Sequence, residues 1–111
     1  PPEEQDVVRV RLAESLHAVI SQRLLPRKDA PGRVAALEIM IVTPTIRDLM
    51  LDRDRVGEIR DHIAEGREQY GMQTFDQHLE DLVNEGMIDQ KVAIAAATRP
   101  ADLALKFSLN S

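Results

Sequence analysis

Residues 33–51 read RVAALEIMIVTPTIRDLML, and the fold turns on where this stretch is divided. Its first ten residues are rich in Val, Ile and Leu, with Glu38 the one charge inside the run. A short apolar run with branched side chains predicts a buried strand, Arg33 to Val42. Thr43-Pro44 then opens a different pattern. A threonine hydroxyl can cap a helix, and the missing proline N–H costs nothing at the first helical position. A short helix is therefore predicted from Pro44 to about Asp52. Inside it, Arg47 and Asp48 sit among Ile46, Leu49, Met50 and Leu51. Residue chemistry alone reads the two charges as a solvated face, with Ile46, Leu49 and Met50 toward the core. Arg47 lies near the positive end of the helix dipole, where a cation is disfavoured, and its presence there hints at a partner carboxylate.

Upstream, Lys28-Asp29-Ala30-Pro31-Gly32 is turn chemistry and Gln22 to Pro26 is extended in character, so the strand is expected to pair as a hairpin. A lone two-stranded hairpin is marginal in water and calls for a larger sheet. In isolation, Arg33–Val42 is expected to self-associate through unpaired backbone groups. Further upstream, Val8, Leu12, Leu16, Val19 and Ile20 recur every three or four residues. That spacing predicts a helix beginning near Pro2, with His17 half-buried beside its apolar stripe. The chain opens Pro1-Pro2 without a methionine, which fits a piece of a longer protein.

Downstream the pattern is helical. Asp54 is the expected cap of a helix carrying Val56, Ile59 and Ile63, with Gly71 past its end. Thr74 is the expected cap of the next, with Phe75, Leu79, Leu82 and Val83 inward and Gly86 as its stop. Asp89 is expected to cap a helix through Val92 to Ala97, and Pro100 to precede a short helix over Ala101–Phe107. The fold class is therefore mostly α with one β-hairpin.

The 111 residues form a small domain, or part of a larger one, with 43% apolar and only 3% aromatic residues. Net charge is −5, and residues 47–89 hold twelve acids against five bases. An acidic middle disfavours nucleic acid, which needs Lys and Arg to replace its counterions, and an anionic membrane surface. There is no cysteine, hence no thiolate zinc site or disulfide framework. No apolar run reaches membrane-spanning length, so no direct membrane insertion is expected. The phosphate-binding pattern GxxxxGK[ST] is absent, so the chain alone should not hydrolyse ATP. His62 with Glu58 and Glu65, and His78 with Asp81, stand at helical spacings, but the order reverses the Glu-x-x-His of bundle metal sites. A charged solvated face is the plainer reading, with no metal or cofactor. Phe75–Ala97 could form a helix-turn-helix about Asn84–Met87, yet its second helix offers only Lys91 as a cation. Read without reference to any family, the chain is equally an acidic helical module that holds a basic partner.

Three stretches carry a resemblance: LHAVISQRLLPRKDAPGRVAALEIMIVTP from Leu16, TIRDLMLD from Thr45, and GMQTFDQHLEDLVNEGMI from Gly71. Together and in this order they resemble the C-terminal part of type IV pilus retraction ATPases, the PilT/PilU branch of the hexameric RecA-like secretion ATPases. The resemblance implies that residues 1–42 are the C-terminal helix and edge hairpin of a RecA-like α/β core, and that 43–111 are a small helical bundle. It places the Walker A loop, acidic boxes and histidine box, with ATP and Mg, upstream of Pro1. It also implies a cytoplasmic homo-oligomer, a hexamer, working at the inner membrane with a pilus platform protein. The family carries a retraction motif, AIRNLIRE, at this place. Thr45 replaces its alanine, Ile46, Arg47 and Leu49 match, and Asp48 replaces asparagine. Met50 replaces isoleucine, Leu51 replaces the second arginine, and Asp52 replaces glutamate. Thr45, Ile46, Arg47, Asp48, Leu49 and Asp52 are therefore the expected coupling residues, Arg47 foremost. The lost arginine leans toward the accessory PilU-like paralogue. The assembly and secretion relatives usually carry a tetracysteine element, so the lack of cysteine favours the retraction branch over an assembly ATPase tail.

Overall fold

The computed structural model describes residues 17–110. The predicted helix over Pro2–Leu16 lies outside them. Val19 and Ile20, assigned to that helix from their spacing, belong instead to strand β1, Ala18–Pro26. Val19, Ser21, Arg23 and Leu25 alternate along it with Ile20, Gln22 and Leu24, and a strand has this period of two. Leu25 is its buried residue. His17 is exposed, and its backbone carbonyl accepts from Val42 N at 2.9 Å. It is no half-buried structural histidine.

Strand β2, Arg33–Ile41, pairs with β1 in a two-stranded sheet. Arg27 N donates to Gly32 O across the turn, which Asp29 and Gly32 close with positive φ angles of 58° and 94°. Glycine takes that conformation without strain. Most of β2 is half-buried, with Ala36 alone fully buried. Beyond it come α1 (Pro44–Leu51), a 3-10 turn (Arg53–Glu58), α2 (Ile59–Glu65), α3 (Arg67–Tyr70), α4 (Phe75–Asn84), α5 (Gln90–Ala96) and α6 (Pro100–Leu109).

The described residues fall into two compact units, 17–20 with 39–73 and 21–38 with 74–110. In the first, Thr43 Oγ1 accepts from Ile46 N at 3.2 Å and Pro44 stands in the first turn, as its chemistry predicts. Asp52 ends α1 and, with its side chain, accepts from Asp54 N at 3.0 Å. The cap of the following segment is thus Asp52 rather than Asp54, and the segment begins as a 3-10 turn before α2. Gly71, at φ 71°, reverses the chain after α3. Gln73 then bonds to Ile39 in both directions, at 2.9 and 3.0 Å. Val42, Ile46, Ile63 and Met72 form the core of this unit.

In the second unit, Thr74 and Gln77 make a reciprocal capping box at the start of α4. Phe75, Leu79 and Leu82 face a core completed by Leu25, Ala36, Ile88, Ala93, Leu103 and Phe107. Gly86, at φ 76°, ends the helical turn after α4. Asp89 precedes α5 without capping it by its side chain; its carboxylate lies 3.9 Å from Lys28 Nζ. Pro100 opens α6 rather than merely preceding it. Asp76 receives the backbone N–H groups of Thr98 at 2.8 Å and Arg99 at 2.9 Å, and so fixes the entry to that helix.

Candidate functional site

Helix α1 is short, so its seat depends on tertiary packing more than on helix propensity. Ile46 is fully buried and Leu49 is 3% exposed, which turns the opposite side of the helix outward by geometry. Thr45 and Asp48 are exposed, and Arg47 and Met50 are half-buried. Ile46, Leu49 and Met50 therefore face inward as predicted, while Arg47 is partly covered rather than wholly solvated. Asp52 is exposed and acts as the local cap just described. Of the six expected residues, Ile46 and Leu49 are anchors and Asp52 caps the turn that follows, while Thr45, Arg47 and Asp48 lie on the less buried side of the helix.

The structure adds a group that the motif comparison does not contain. Arg55, on the 3-10 turn, donates through Nε to Glu58 Oε2 at 2.8 Å and through Nη2 to Glu58 Oε1 at 3.4 Å. The hydrogen bond to Glu58, then its charge, hold the Arg55 guanidinium above its ordinary range, and Asp52 and Asp48 add to the effect. Glu58 is held below the usual carboxylate range by the same hydrogen bond, with desolvation opposing the shift and the Arg55 charge adding to it. Two of the expected residues, Asp48 and Asp52, thus share the field of one arginine that lies outside the motif. An i, i+3 pairing of Arg55 with Glu58 is visible in the sequence; the approach of Asp48 and Asp52 depends on the turn between the helices.

Leu51, standing where the resembled motif has its second arginine, is 44% exposed, and Val56 on the 3-10 turn is 38% exposed. The periodicity put Val56 on the inner face with Ile59 and Ile63. The 3-10 turn shifts it outward, because three residues per turn put it out of step with the α-helix that follows.

The two histidines with helical carboxylate neighbours resolve differently. His62 Nδ1 lies 3.9 Å from Glu65 Oε2. His78 Nδ1 accepts the backbone N–H of Leu37 at 2.8 Å, which uses that nitrogen for structure. Among the described residues no three potential metal ligands converge. No helix among them is long and apolar enough to cross a membrane.

No family profile matches the chain. It is 46% identical over 100 residues to the type IV pilus retraction ATPase PilT of Pseudomonas aeruginosa, which covers 90% of this chain and 28% of that protein. It is 36% identical over 111 residues to the type IV pilus ATPase PilU of the same organism, covering all of this chain and 28% of that one. A crystal structure of the pilus retraction motor PilT with bound ADP superposes with a TM-score of 0.70 at 32% identity, over 92% of this chain and 27% of that one. By these similarities the chain matches a C-terminal portion of the type IV pilus ATPases of the PilT/PilU kind. It spans about a quarter of the length of the curated relatives it matches, 28% of PilT and 28% of PilU. Identity is higher to PilT, over 100 residues, than to PilU, over 111.

Proposed function

We propose that this chain is the C-terminal part of a hexameric pilus retraction ATPase, and that α1 couples ATP hydrolysis elsewhere in the motor to pilus disassembly and twitching motility. The observation that carries the reading is the match to PilT over 92% of the chain, in fold and in sequence. The parent binds ATP and Mg in its upstream portion, works in the cytoplasm at the inner membrane, and meets the pilus platform protein there. The site geometry supports α1 as the coupling element. Ile46 and Leu49 fasten the helix to its unit, while Thr45, Arg47 and Asp48 lie on its less buried side. A force-bearing contact needs that combination of a rigid seat and an available face.

The experiment is Arg47→Ala in the full parent, with retraction and ATP turnover measured together. Retraction should fall at least tenfold while turnover stays within about twofold, the signature of lost coupling rather than lost chemistry. Equal loss of both would overturn the coupling role. Comparing ATP hydrolysis by this 111-residue chain with that of its parent tests the motor reading itself, which requires activity in the parent only.

A further inference from the structure

Resting on the reading of α1 as the coupling element, we infer that Gly66 and Met72 are positioning residues for that helix. The missing side chain at Gly66 leaves a notch for the end of Met72, and Met72 supports the buried side of α1. Gly66 joins α2 to α3 at φ −84° and ψ 10°, a conformation that ordinary residues adopt in type I turns. The backbone therefore does not call for glycine here. Space does. An added Cβ would stand 2.5 Å from Cε of Met72, 3.3 Å from Cδ2 of Tyr70 and 3.4 Å from the His62 carbonyl oxygen. At Gly32, Gly57, Gly71 and Gly86 it would meet nothing within 4 Å.

The surroundings of Met72 decide what a side chain at position 66 would displace. Its backbone is held: Met72 N donates to Gly66 O at 3.4 Å, and the next residue, Gln73, bonds to Ile39 in both directions. A methionine with room around it swings aside at little cost, but Met72 is 1% exposed. It shares its core with Val42, Ile46 and Ile63. Tyr70 is largely exposed and can turn away. Ile46 belongs to α1 itself, and Val42 lies two positions before the first residue of that helix. Close-packed interiors pass a displacement on to their neighbours. With eight residues, α1 depends on packing for its seat. Crowding at Met72 is therefore relieved by a shift of α1, which carries Thr45, Arg47 and Asp48 with it.

The test is Gly66→Ala in the full parent, with retraction and ATP turnover measured together. Retraction should fall about tenfold while turnover stays within about twofold. Met72→Leu removes the terminal carbon at nearly constant volume. Combined with Gly66→Ala, it should restore most of the lost retraction, a coupling expected only of residues in contact. His78→Ala loses a hydrogen bond in the other compact unit. It controls for lost stability and should leave the ratio of retraction to turnover unchanged. Where Gly66→Ala alone loses turnover as well, the double variant decides: recovery of turnover and retraction supports the notch, and continued loss of both overturns it. Alanine in place of a glycine without close neighbours stabilises, by restricting the unfolded chain. A Gly66→Ala parent that retracts normally therefore overturns the inference, as does a ratio that the double variant fails to restore. Equal uncoupling by His78→Ala would assign the effect to stability and overturn it too. Arg47→Ala separates this inference from the reading beneath it. Uncoupling by Arg47→Ala but not by Gly66→Ala removes the positioning role and leaves the coupling helix in place. Normal coupling in both removes the two together.

Discussion

Leu37 of β2 donates its backbone N–H to Nδ1 of His78 on α4 at 2.8 Å, across 41 positions of sequence. The bond fixes the imidazole as acceptor at Nδ1, so the proton of the neutral ring sits on Nε2. It ties the hairpin to the helix that carries Phe75, Leu79 and Leu82 into the core of the same unit. Removing the acceptor with His78→Ala should cost about 1–2 kcal/mol, the range for a partly buried backbone group losing a partner. His78→Asn, whose amide oxygen can reach a similar position, should recover part of the loss. Urea denaturation of the two variants checks this; equal stability of His78→Ala and the parent chain would show the bond to be incidental.

Asp76 makes a comparable link at the other end of that unit, receiving the N–H groups of Thr98 and Arg99. These are charge-assisted bonds to the start of α6, where a helix has N–H groups without internal partners. Asp76→Ala should destabilise the chain by about 1.5–3 kcal/mol. Asp76→Asn, which keeps one good acceptor, should cost less. Hydrogen exchange should show the protection lost first in α6, around Leu103.

Much of this was legible before the structure. Thr43-Pro44 and Thr74 announced their helices because capping is local chemistry within four residues. Leu79, Leu82 and Ile63 showed their inward faces through spacing alone. The failures have a common origin in competition between a local signal and a distant partner. Val19 and Ile20 continue an apolar stripe at helical spacing, yet they lie in a strand because β2 offers a ladder. Val56 fits the stripe of Ile59 and Ile63, but a 3-10 turn before α2 changes its phase. Asp54 and Asp52 are equally good caps on paper, and the end of α1 selects Asp52. The charge cluster at Arg55 was hidden because Asp48 and Asp52 approach it only after that turn has formed.

The Arg55–Glu58 pair has a pH signature. Glu58 is held below the ordinary carboxylate range by its hydrogen bond from Arg55. A carboxylate lowered in this way supports the folded state above its unfolded pKa and loses that support as pH falls through the lowered value. The pair is exposed, so its effect on global stability should be small. The effect should instead appear at the site: in an NMR titration, Glu58 should titrate below an unpaired glutamate, and Arg55→Gln should move its midpoint upward. An unchanged midpoint in Arg55→Gln would show that Arg55 does not set it.

The hairpin makes the last prediction, and the structure relocates it. The outer edge of β2 was expected to be the adhesive one, but it is occupied: Leu37 N bonds to His78 and Ile39 pairs with Gln73. Among the described residues β1 pairs only with β2, so its other edge offers N–H and C=O groups to a strand from elsewhere. The strand also shows Ile20 at 68% and Leu24 at 54% exposure, and an exposed apolar edge strand is a template for pairing between chains. The isolated chain should therefore self-associate through β1 as concentration rises. Natural edge strands are blunted by lysine, so Leu24→Lys should shift the chain toward monomer in sedimentation velocity. Leu105→Lys, at a position 58% exposed on α6, should leave association unchanged. A chain that stays monomeric at high concentration, or one whose association responds to Leu105→Lys and not to Leu24→Lys, would place the contact elsewhere than β1.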